Sequence, residues 1–280
     1  MADRVITDQM IKSFEIYLIE NEKALATIRK YIHDIRYFVR CVSARALDKE
    51  VVLNYKKKLE QEYAVRSANS MLAAVNAILH FLGWYDLCVK QFKVQKETFC
   101  SEEKELTRDE YAALVRAAEQ KKNEQLSLVV QTICGTGIRV SELKNITVEA
   151  VHKGEAVVSC KGKKRKVFIV KALRKKLLDY ANKSGIAAGM IFITKGGKPL
   201  DRSNIWRRMK ELCKEAGVAP QKVFPHNLRH LFARTFYGIE KDIAMLADVL
   251  GHSNVNTTRI YIITSGTEHQ RRMENMHLII

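Results

Sequence analysis

The 280-residue chain is long enough for one large domain or two ordinary ones, and its 47% hydrophobic content allows a substantial core. With three prolines and 13 glycines, it lacks the composition of a long disordered protein. Its 48 Lys and Arg against 31 Asp and Glu give a formal charge of +17, which favours a polyanionic partner, nucleic acid above all.

Sequence features that would mark a membrane, secreted or metal-binding protein are missing. No apolar run reaches about 18 residues, and the first residues, MADRVITDQM, lack a signal core, so we expect a cytoplasmic protein. The six cysteines form no CxxC pair, which argues against structural zinc and disulfides. His226 and His230 have H-x-x-x-H spacing but lack the Glu of a metalloprotease, so we expect no metal site.

Residues 1–95 show the periodicity of amphipathic helices. The pattern is clearest at 8–21, 26–42 and 67–84, with short turns between these segments. This organisation predicts a small helical domain over residues 1–95, followed by a polar, charged linker at 96–105.

A second, mostly helical domain is predicted over residues 106–263. Thr107 and Glu110 form the S/T-x-x-E pattern of a capping box at its first helix. Two β-rich runs, 155–160 and 167–170, flank a basic turn and predict an antiparallel hairpin. Helical periodicity then returns, so the fold class is mainly α with a small antiparallel β-sheet.

The stretch 224–262 contains two His-bearing clusters, HNLRH and LGH, followed by RIY. Its acids, Glu240, Asp242 and Asp248, lie on or beside a helix patterned as a packing element, so they do not indicate a metal site. Phosphodiester chemistry can instead use fixed guanidinium groups, because each binds two phosphate oxygens at once. Arg229 is one candidate for this role.

Three further residues complete a candidate site for phosphodiester cleavage. Arg139 follows two glycines at a predicted helix start, where free N–H groups favour a phosphate, and Glu142 lies one turn on to fix its guanidinium. Tyr261 is a candidate nucleophile, because a tyrosine ester of phosphate keeps the bond energy for a reverse reaction. Lys161, in the predicted hairpin turn, is a candidate to protonate the departing 5′-oxygen.

In this order and spacing, TGIRVSEL, the hairpin lysine, HNLRH, LGHSNVNTT and the tyrosine resemble the tyrosine recombinases, which include phage integrases, Xer-type resolvases and Cre-like enzymes. The resemblance covers nearly the whole chain. It implies a core-binding domain at 1–95 and a catalytic domain at 106–263 that clamp duplex DNA, a 3′-phosphotyrosyl intermediate and no cofactor. The function it implies is site-specific DNA recombination by integration, excision, inversion or resolution.

The resemblance assigns roles residue by residue. Arg139 and Arg229 would bind the scissile phosphate, His226 and His252 would donate hydrogen bonds to its oxygens, and Tyr261 would be the nucleophile. His226 is also a candidate to help deprotonate the tyrosine.

The general acid is assigned to Lys161, because CKGKKRKVFI resembles the family's G-K-G-x-K-x-R-x-V-P-L run. Here Cys160 replaces the first Gly, Lys166 stands at the Arg position and Ile169 at the Pro position. With five basic residues in six positions, Lys164 remains the alternative.

Further DNA contacts are predicted from the two most basic segments. They are Lys163, Lys164 and Arg165 in the hairpin turn, and Arg207 and Arg208 in WRRMK, for which a solvated face is the alternative.

The expected partner is duplex DNA with paired, inverted-repeat sites, bound by a homotetramer in the synapse. The tail, residues 264–280, carries apolar side chains that a short helix cannot bury alone, so we expect it to dock on a neighbouring subunit. Folding back or fraying is the alternative. A type IB topoisomerase and a non-catalytic DNA-binding protein on the same fold are the alternative functions.

Overall fold

The computed structural model describes residues 4–43, 46–94, 105–160, 163–261 and 274–275. They form two compact units that divide at residue 96, each with its own hydrophobic core. Within these residues the structure is mainly helical with one two-stranded antiparallel sheet, which confirms the mainly α fold class predicted from the sequence.

The first unit is built from amphipathic helices that bury their apolar faces against one another. Thr7 and Asp48 begin two of them, and each side chain accepts a hydrogen bond from a main-chain N–H of the first turn. The helices are α1 (Asp8–Glu20), α2 (Leu25–Cys41), α3 (Lys49–Glu62) and α4 (Val65–Phe81).

The second unit opens with the predicted capping box, which is confirmed. Thr107 Oγ1 accepts from the Glu110 N–H at 3.1 Å, and Glu110 Oε2 accepts from the Thr107 N–H at 2.8 Å. The elements that follow are α5 (Arg108–Gln120), α6 (Glu124–Thr136), a 3-10 helix (Val140–Asn145), α7 (Val148–Lys153), β1 (Glu155–Cys160), β2 (Lys163–Phe168), α8 (Lys171–Lys183), α9 (Arg202–Lys210), α10 (Cys213–Ala216), α11 (Pro225–Glu240), α12 (Ile243–Leu250) and α13 (Val255–Arg259).

The hairpin begins its second strand earlier than the sequence predicted. The antiparallel register reaches Cys160↔Lys163, so β2 starts at Lys163 and not at residue 167. Basic residues have low intrinsic β propensity, but pairing with β1 outweighs this preference. Because side chains alternate between the two faces of a strand, Arg165 is turned inward while its neighbour Lys164 is exposed.

Helix α6 is central to the second unit. Leu128, Val129, Val130 and Ile133 are all buried in the core, and α11 packs along this helix. The segment that leaves the end of α6 therefore starts beside α11, which carries the HNLRH motif.

Gly137 ends α6 in the left-handed region, with φ at 65°. A Cβ atom at this position would lie 2.4 Å from Cδ1 of Phe232 on α11, closer than any side-chain carbon can approach. Only glycine meets both demands, the positive φ and the close contact. Gly137 therefore fixes the starting point of the segment that leads to Arg139.

Two predicted segments fall mostly outside the described residues. The linker at 96–105 is described only at Glu105, and the tail at 264–280 only at 274–275. In the described part of the chain, no helix is long and apolar enough to cross a membrane.

Gly137→Ala is predicted to destabilise the protein more than Gly185→Ala does. Gly185 has a similar φ of 68°, but a Cβ there would have no neighbouring atom within 4 Å, so it measures the backbone strain alone, about 1–2 kcal/mol. The clash with Phe232 should add about 1–3 kcal/mol to that strain at Gly137. Denaturant unfolding of both variants measures the difference, and equal losses would contradict the proposed contact.

Candidate active site

Arg139 lies directly before the 3-10 helix Val140–Asn145, where Glu142 holds it. Its main-chain N–H donates to Glu142 Oε2 at 2.8 Å, and its Nη1 donates to Oε1 at 3.1 Å. The Glu142 side chain is 4% exposed, whereas that of Arg139 is 29% exposed. Glu142 therefore fixes Arg139, as the sequence suggested, while part of the guanidinium remains open to solvent.

Arg229 is buried on α11, and its guanidinium connects three elements. Nη1 donates to Gly137 O at 2.6 Å, and Nη2 donates to Leu250 O, at the end of α12, at 2.8 Å. Its buried Nε has no acceptor among the described residues. Burial, followed by the charge of Arg139, lowers the pKa of Arg229 to about 10, so the group stays protonated at neutral pH.

His252 follows the end of α12 and is held in one tautomer. Nε2 lies 3.0 Å from Arg229 Nη2, and Nδ1 lies 2.8 Å from Thr258 Oγ1. Because a guanidinium only donates, Nε2 must accept, and the ring proton resides on Nδ1. Burial and the charges of Arg229 and Arg139 lower the pKa of His252 to about 4, in agreement with a neutral ring.

Tyr261 follows α13 and is enclosed by histidines. The residue is 3% exposed, and its hydroxyl lies 3.4 Å from His226 Nε2. Its ring stacks on His252, with centroids 5.6 Å apart and planes at 14°, and meets His230 edge-on at 4.4 Å. The structure therefore brings together Tyr261 and both histidines of the predicted site.

The two histidines on α11 are both neutral at neutral pH. Burial, with the charge of Arg229 next, lowers the pKa of His226 below its ordinary value. Burial, with the charge of His226 next, lowers the pKa of His230 to about 3. A neutral His226 can accept a proton through Nε2, the atom that faces the Tyr261 hydroxyl.

An open cavity of about 390 Å³ is lined by Arg139, His226 and Arg229 of the predicted site. Arg202 and Trp206 of α9 line the same cavity. Neither of the last two residues was assigned a role from the sequence. Their i, i+4 spacing indicates a shared helix face, but only tertiary packing brings that face to the cavity that Arg139 also lines.

The structure gives different results for the basic residues that the sequence analysis assigned to the hairpin. Lys161 lies outside the described residues, Lys163 stands at the start of β2, and Lys164 is exposed. Arg165 requires a correction, since it was predicted to contact DNA. Its side chain is 12% exposed and its guanidinium points into the protein, where it is paired with Glu142.

The two arginines of WRRMK also differ. The side chain of Arg207 is 69% exposed and remains accessible. Arg208 requires a correction, because it donates to Gln125 Oε1 at 3.1 Å and to Asn123 Oδ1 at 2.8 Å. Adjacent helix positions face different directions, so Arg208 connects α9 to the start of α6 instead of facing outward.

The assembled groups are suited to an anion and not to a cation. Arg139, Arg202 and Arg229 supply positive charge around the cavity, and its described lining includes no carboxylate. Glu142, which holds Arg139, is also paired with Arg165. In the part of the chain that the structure describes, no group of three or more His, Cys, Asp or Glu side chains could hold a metal ion. The site can therefore bind a phosphate, stabilise added negative charge and hold a phenol beside a neutral base.

Two protein-family models match this chain. The model for the phage integrase family matches residues 104–267, more than half of the sequence, and that for the phage integrase N-terminal SAM-like domain matches residues 11–85. The boundary between the two matches falls near the division of the structure at residue 96.

Several relatives and solved structures are similar to this chain. Tyrosine recombinase XerA of Pyrococcus furiosus is 27% identical over 290 residues, which cover 100% of this chain and 98% of that protein. A crystal structure of XerA recombinase has a TM-score of 0.54 at 24% identity, covering 98% of this chain and 100% of that one. A lambda integrase tetramer bound to a Holliday junction has a TM-score of 0.74 at 18% identity, covering 92% and 78%. At these identities, the solved structures show a shared fold.

The lowered histidine pKa values predict that acid weakens the folded state. An unfolded histidine has a pKa of about 6.5, whereas burial and nearby charges lower the pKa of His252 to about 4 and that of His230 to about 3 in the folded protein. As the pH falls from about 6.5 toward these values, the unfolded chain binds protons that the folded chain does not, so stability is lost over this window.

His230→Phe removes one of these titrating groups and keeps an aromatic ring against Tyr261. Thermal unfolding between about pH 7 and pH 4 should show a smaller fall in Tm for this variant than for the wild type. His152→Gln, at an exposed histidine of the same unit, is the control and should keep the wild-type slope. A slope for His230→Phe equal to that of the wild type would contradict the assignment.

Proposed function

The chain belongs to the phage integrase family as a tyrosine-type site-specific recombinase, and on this premise we propose that it cleaves and rejoins duplex DNA through a 3′-phosphotyrosyl intermediate at Tyr261. One observation carries the proposal. The Tyr261 hydroxyl lies beside His226 and Arg229, in a site whose buried Arg229 Nε has no acceptor among the described residues. A phosphate oxygen supplies the acceptor that this N–H lacks.

In the first step, the Tyr261 oxygen attacks the scissile phosphorus. Its proton passes to His226 Nε2, which faces the hydroxyl at 3.4 Å and is neutral at neutral pH. The new bond joins the tyrosine oxygen to the phosphorus, and the bond from phosphorus to the 5′-oxygen breaks. Lys161 gives the departing oxygen its proton, with Lys164 as the alternative donor.

In the second step, the 5′-hydroxyl of another strand attacks the phosphotyrosine. The proton of that hydroxyl passes to the lysine that gave one up in the first step, Lys161 or its alternative Lys164. The tyrosine oxygen leaves and recovers its proton from His226, so the phosphodiester is restored without an external energy source. The same two steps serve integration, excision, inversion and resolution, which differ in the arrangement of the DNA sites.

Arg139 and Arg229 stabilise the charge that builds up on the phosphate oxygens. His252 Nε2 accepts a hydrogen bond from Arg229 in the structure, so it needs a proton before it can donate to the phosphate. The transition state carries more negative charge on its phosphate oxygens than the ground state does. That charge favours a protonated His252, because nearby negative charge raises the pKa of a histidine.

At the level of the whole protein, we propose a core-binding domain at 1–95 and a catalytic domain at 106–263 that close around duplex DNA. The formal charge of +17 supports this arrangement. Paired inverted-repeat sites, a homotetramer in the synapse and docking of the tail, 264–280, on a neighbouring subunit complete the proposal. The similarity to a lambda integrase tetramer bound to a Holliday junction supports the tetramer.

Tyr261→Phe is predicted to abolish the covalent protein–DNA adduct and to leave DNA binding intact, because it removes one oxygen atom. The measurement is a denaturing gel of a nicked duplex whose site is first selected from random sequence by binding to the wild type. Tyr237→Phe, at a half-buried tyrosine of α11 that packs near Tyr261, is the matched control and should form the adduct. An adduct in the Tyr261→Phe variant would disprove the assignment.

Lys161→Ala is predicted to slow cleavage of ordinary DNA by about a hundredfold or more, as expected for loss of a general acid. The rate should approach that of the wild type when the bridging 5′-oxygen is replaced by sulfur, since a thiolate leaves without a proton. Lys164→Ala, measured on the same two substrates, decides between the lysines. Rescue of Lys164→Ala without rescue of Lys161→Ala would move the role to Lys164.

A further inference from the structure

Arg165 has a place in the site that its sequence context does not indicate. It stands on the inner face of β2, and all three nitrogens of its guanidinium are used. Nη1 and Nη2 donate to Glu142 Oε1 and Oε2, both at 2.9 Å, and Nε donates to Val249 O at 3.1 Å. Such a fork-to-fork pair fixes direction as well as distance.

The first consequence of this pairing concerns charge. Glu142 is nearly fully buried and touches Arg139, so by itself it would cancel the positive charge that Arg139 presents to the cavity. Arg165 carries the compensating charge, because it pairs with both oxygens of the same carboxylate. Glu142 can thus hold Arg139 in position while the group as a whole keeps a positive charge.

The ionisation of Glu142 agrees with this arrangement. Burial alone would raise the pKa of its carboxyl, but hydrogen bonds from Arg165 and from the Arg139 main chain lower it overall. The carboxylate is therefore charged at neutral pH and needs both partners.

The second consequence concerns position. Arg165 Nε binds Val249 O, and Arg229 Nη2 binds the next carbonyl, Leu250 O, so two arginines fix the end of α12 that leads to His252. Gly251 allows the side chain of Arg165 to approach this end of α12. It has φ at 67°, and a Cβ there would lie 2.6 Å from Cδ of Arg165.

We propose, building on the cleavage chemistry proposed above, that Arg165 is a positioning residue for the active site. Through Glu142 it maintains the charge and direction of Arg139, and through Val249 it maintains the turn that carries His252. Arg165 also lies four residues after Lys161 in the sequence, so it ties the strand that follows the candidate acid to the phosphate-binding groups. It touches neither the phosphate nor the nucleophile in this role.

A purely structural role is the competing explanation, and the chain offers a matched control for it. Arg174 of α8 donates its Nε to Val151 O at 2.8 Å and its Nη2 to His152 O, at the end of α7. It also covers Gly154, where a Cβ would lie 3.1 Å from its Nη1. Arg174 thus binds a glycine-ended helix much as Arg165 does, but its hydrogen bonds go to main-chain carbonyls and not to a carboxylate that holds Arg139.

The test measures single-turnover cleavage by the full-length wild type, Arg165→Met, Arg165→Lys and Arg174→Met. Each protein acts on two versions of the selected DNA site. One has the natural scissile phosphate. The other has a methylphosphonate, in which a methyl group replaces a non-bridging oxygen and removes the negative charge. Tm and DNA affinity are recorded for every variant.

Arg165→Met should slow cleavage of the phosphate by about tenfold to a hundredfold with little change in DNA affinity. Arg165→Lys should be faster than Arg165→Met, because it retains the charge. On the methylphosphonate, the gap between the wild type and Arg165→Met should shrink to about threefold or less, since less charge needs stabilising. Arg174→Met should lose Tm but cleave the phosphate within about threefold of the wild-type rate at temperatures well below unfolding.

The inference is overturned if Arg165→Met cleaves the phosphate within about threefold of the wild-type rate, or loses the same factor on both substrates. Should Arg165→Met fail to fold, Arg165→Gln, which also removes the charge, takes its place in every comparison under the same criteria. Should the wild type leave the methylphosphonate uncut, the phosphate rates decide: Lys faster than Met supports the inference, and Lys equal to Met overturns it. No adduct with the wild type on ordinary DNA counts against the proposed function itself.

Discussion

The site depends on the hydrogen bonds made by the buried guanidinium of Arg229. Placing a charge in a protein interior is costly unless its hydrogen bonds are replaced. Here Gly137 O and Leu250 O replace two of them, and these carbonyls end α6 and α12. The same group therefore compensates its own burial and joins the segments that lead to Arg139 and His252. Its Nε has no acceptor among the described residues, and in the proposed function a phosphate oxygen would supply one.

Positive charge around Arg229 determines how the neighbouring side chains behave. His226, His230 and His252 are all neutral at neutral pH, because burial and the nearby arginines disfavour a further cation. Neutral histidines can receive a proton, which charged ones cannot. In the proposed mechanism, the positive charge that would stabilise a pentacoordinate phosphorus would also keep His226 neutral and able to accept the proton of Tyr261. One electrostatic cause would then assist both the phosphate and the nucleophile.

The sequence predicted the parts of this site that depend on local spacing. The order of the motifs identified Arg139, His226, Arg229, His252 and Tyr261, and the structure brings these five together. Helical periodicity and the capping box at Thr107 were equally readable, because they involve neighbours in sequence. The roles of these residues and of Lys161 stay predictions until they are measured.

What the sequence could not supply was the direction of the basic side chains. In KKRK, the inward face of β2 depends on its register with β1, so Arg165 looked the same as its exposed neighbours. Arg208 was misassigned for a similar reason, since its partners Asn123 and Gln125 are more than 80 positions away. Arg202 and Trp206 were missed because only packing brings α9 to the cavity.

Glu142 shows why the arginines are best understood as one set. A carboxylate buried among arginines would ordinarily weaken their attraction for a phosphate. Without Glu142, however, the Arg139 guanidinium would have no described hydrogen-bond partner to fix its direction. Arg165, as a second guanidinium on the Glu142 carboxylate, resolves this conflict between direction and charge. The free protein is left with clustered like charges that repel one another. A bound phosphate would relieve that repulsion, so in the proposed function DNA binding would stabilise the folded protein through these few guanidinium groups.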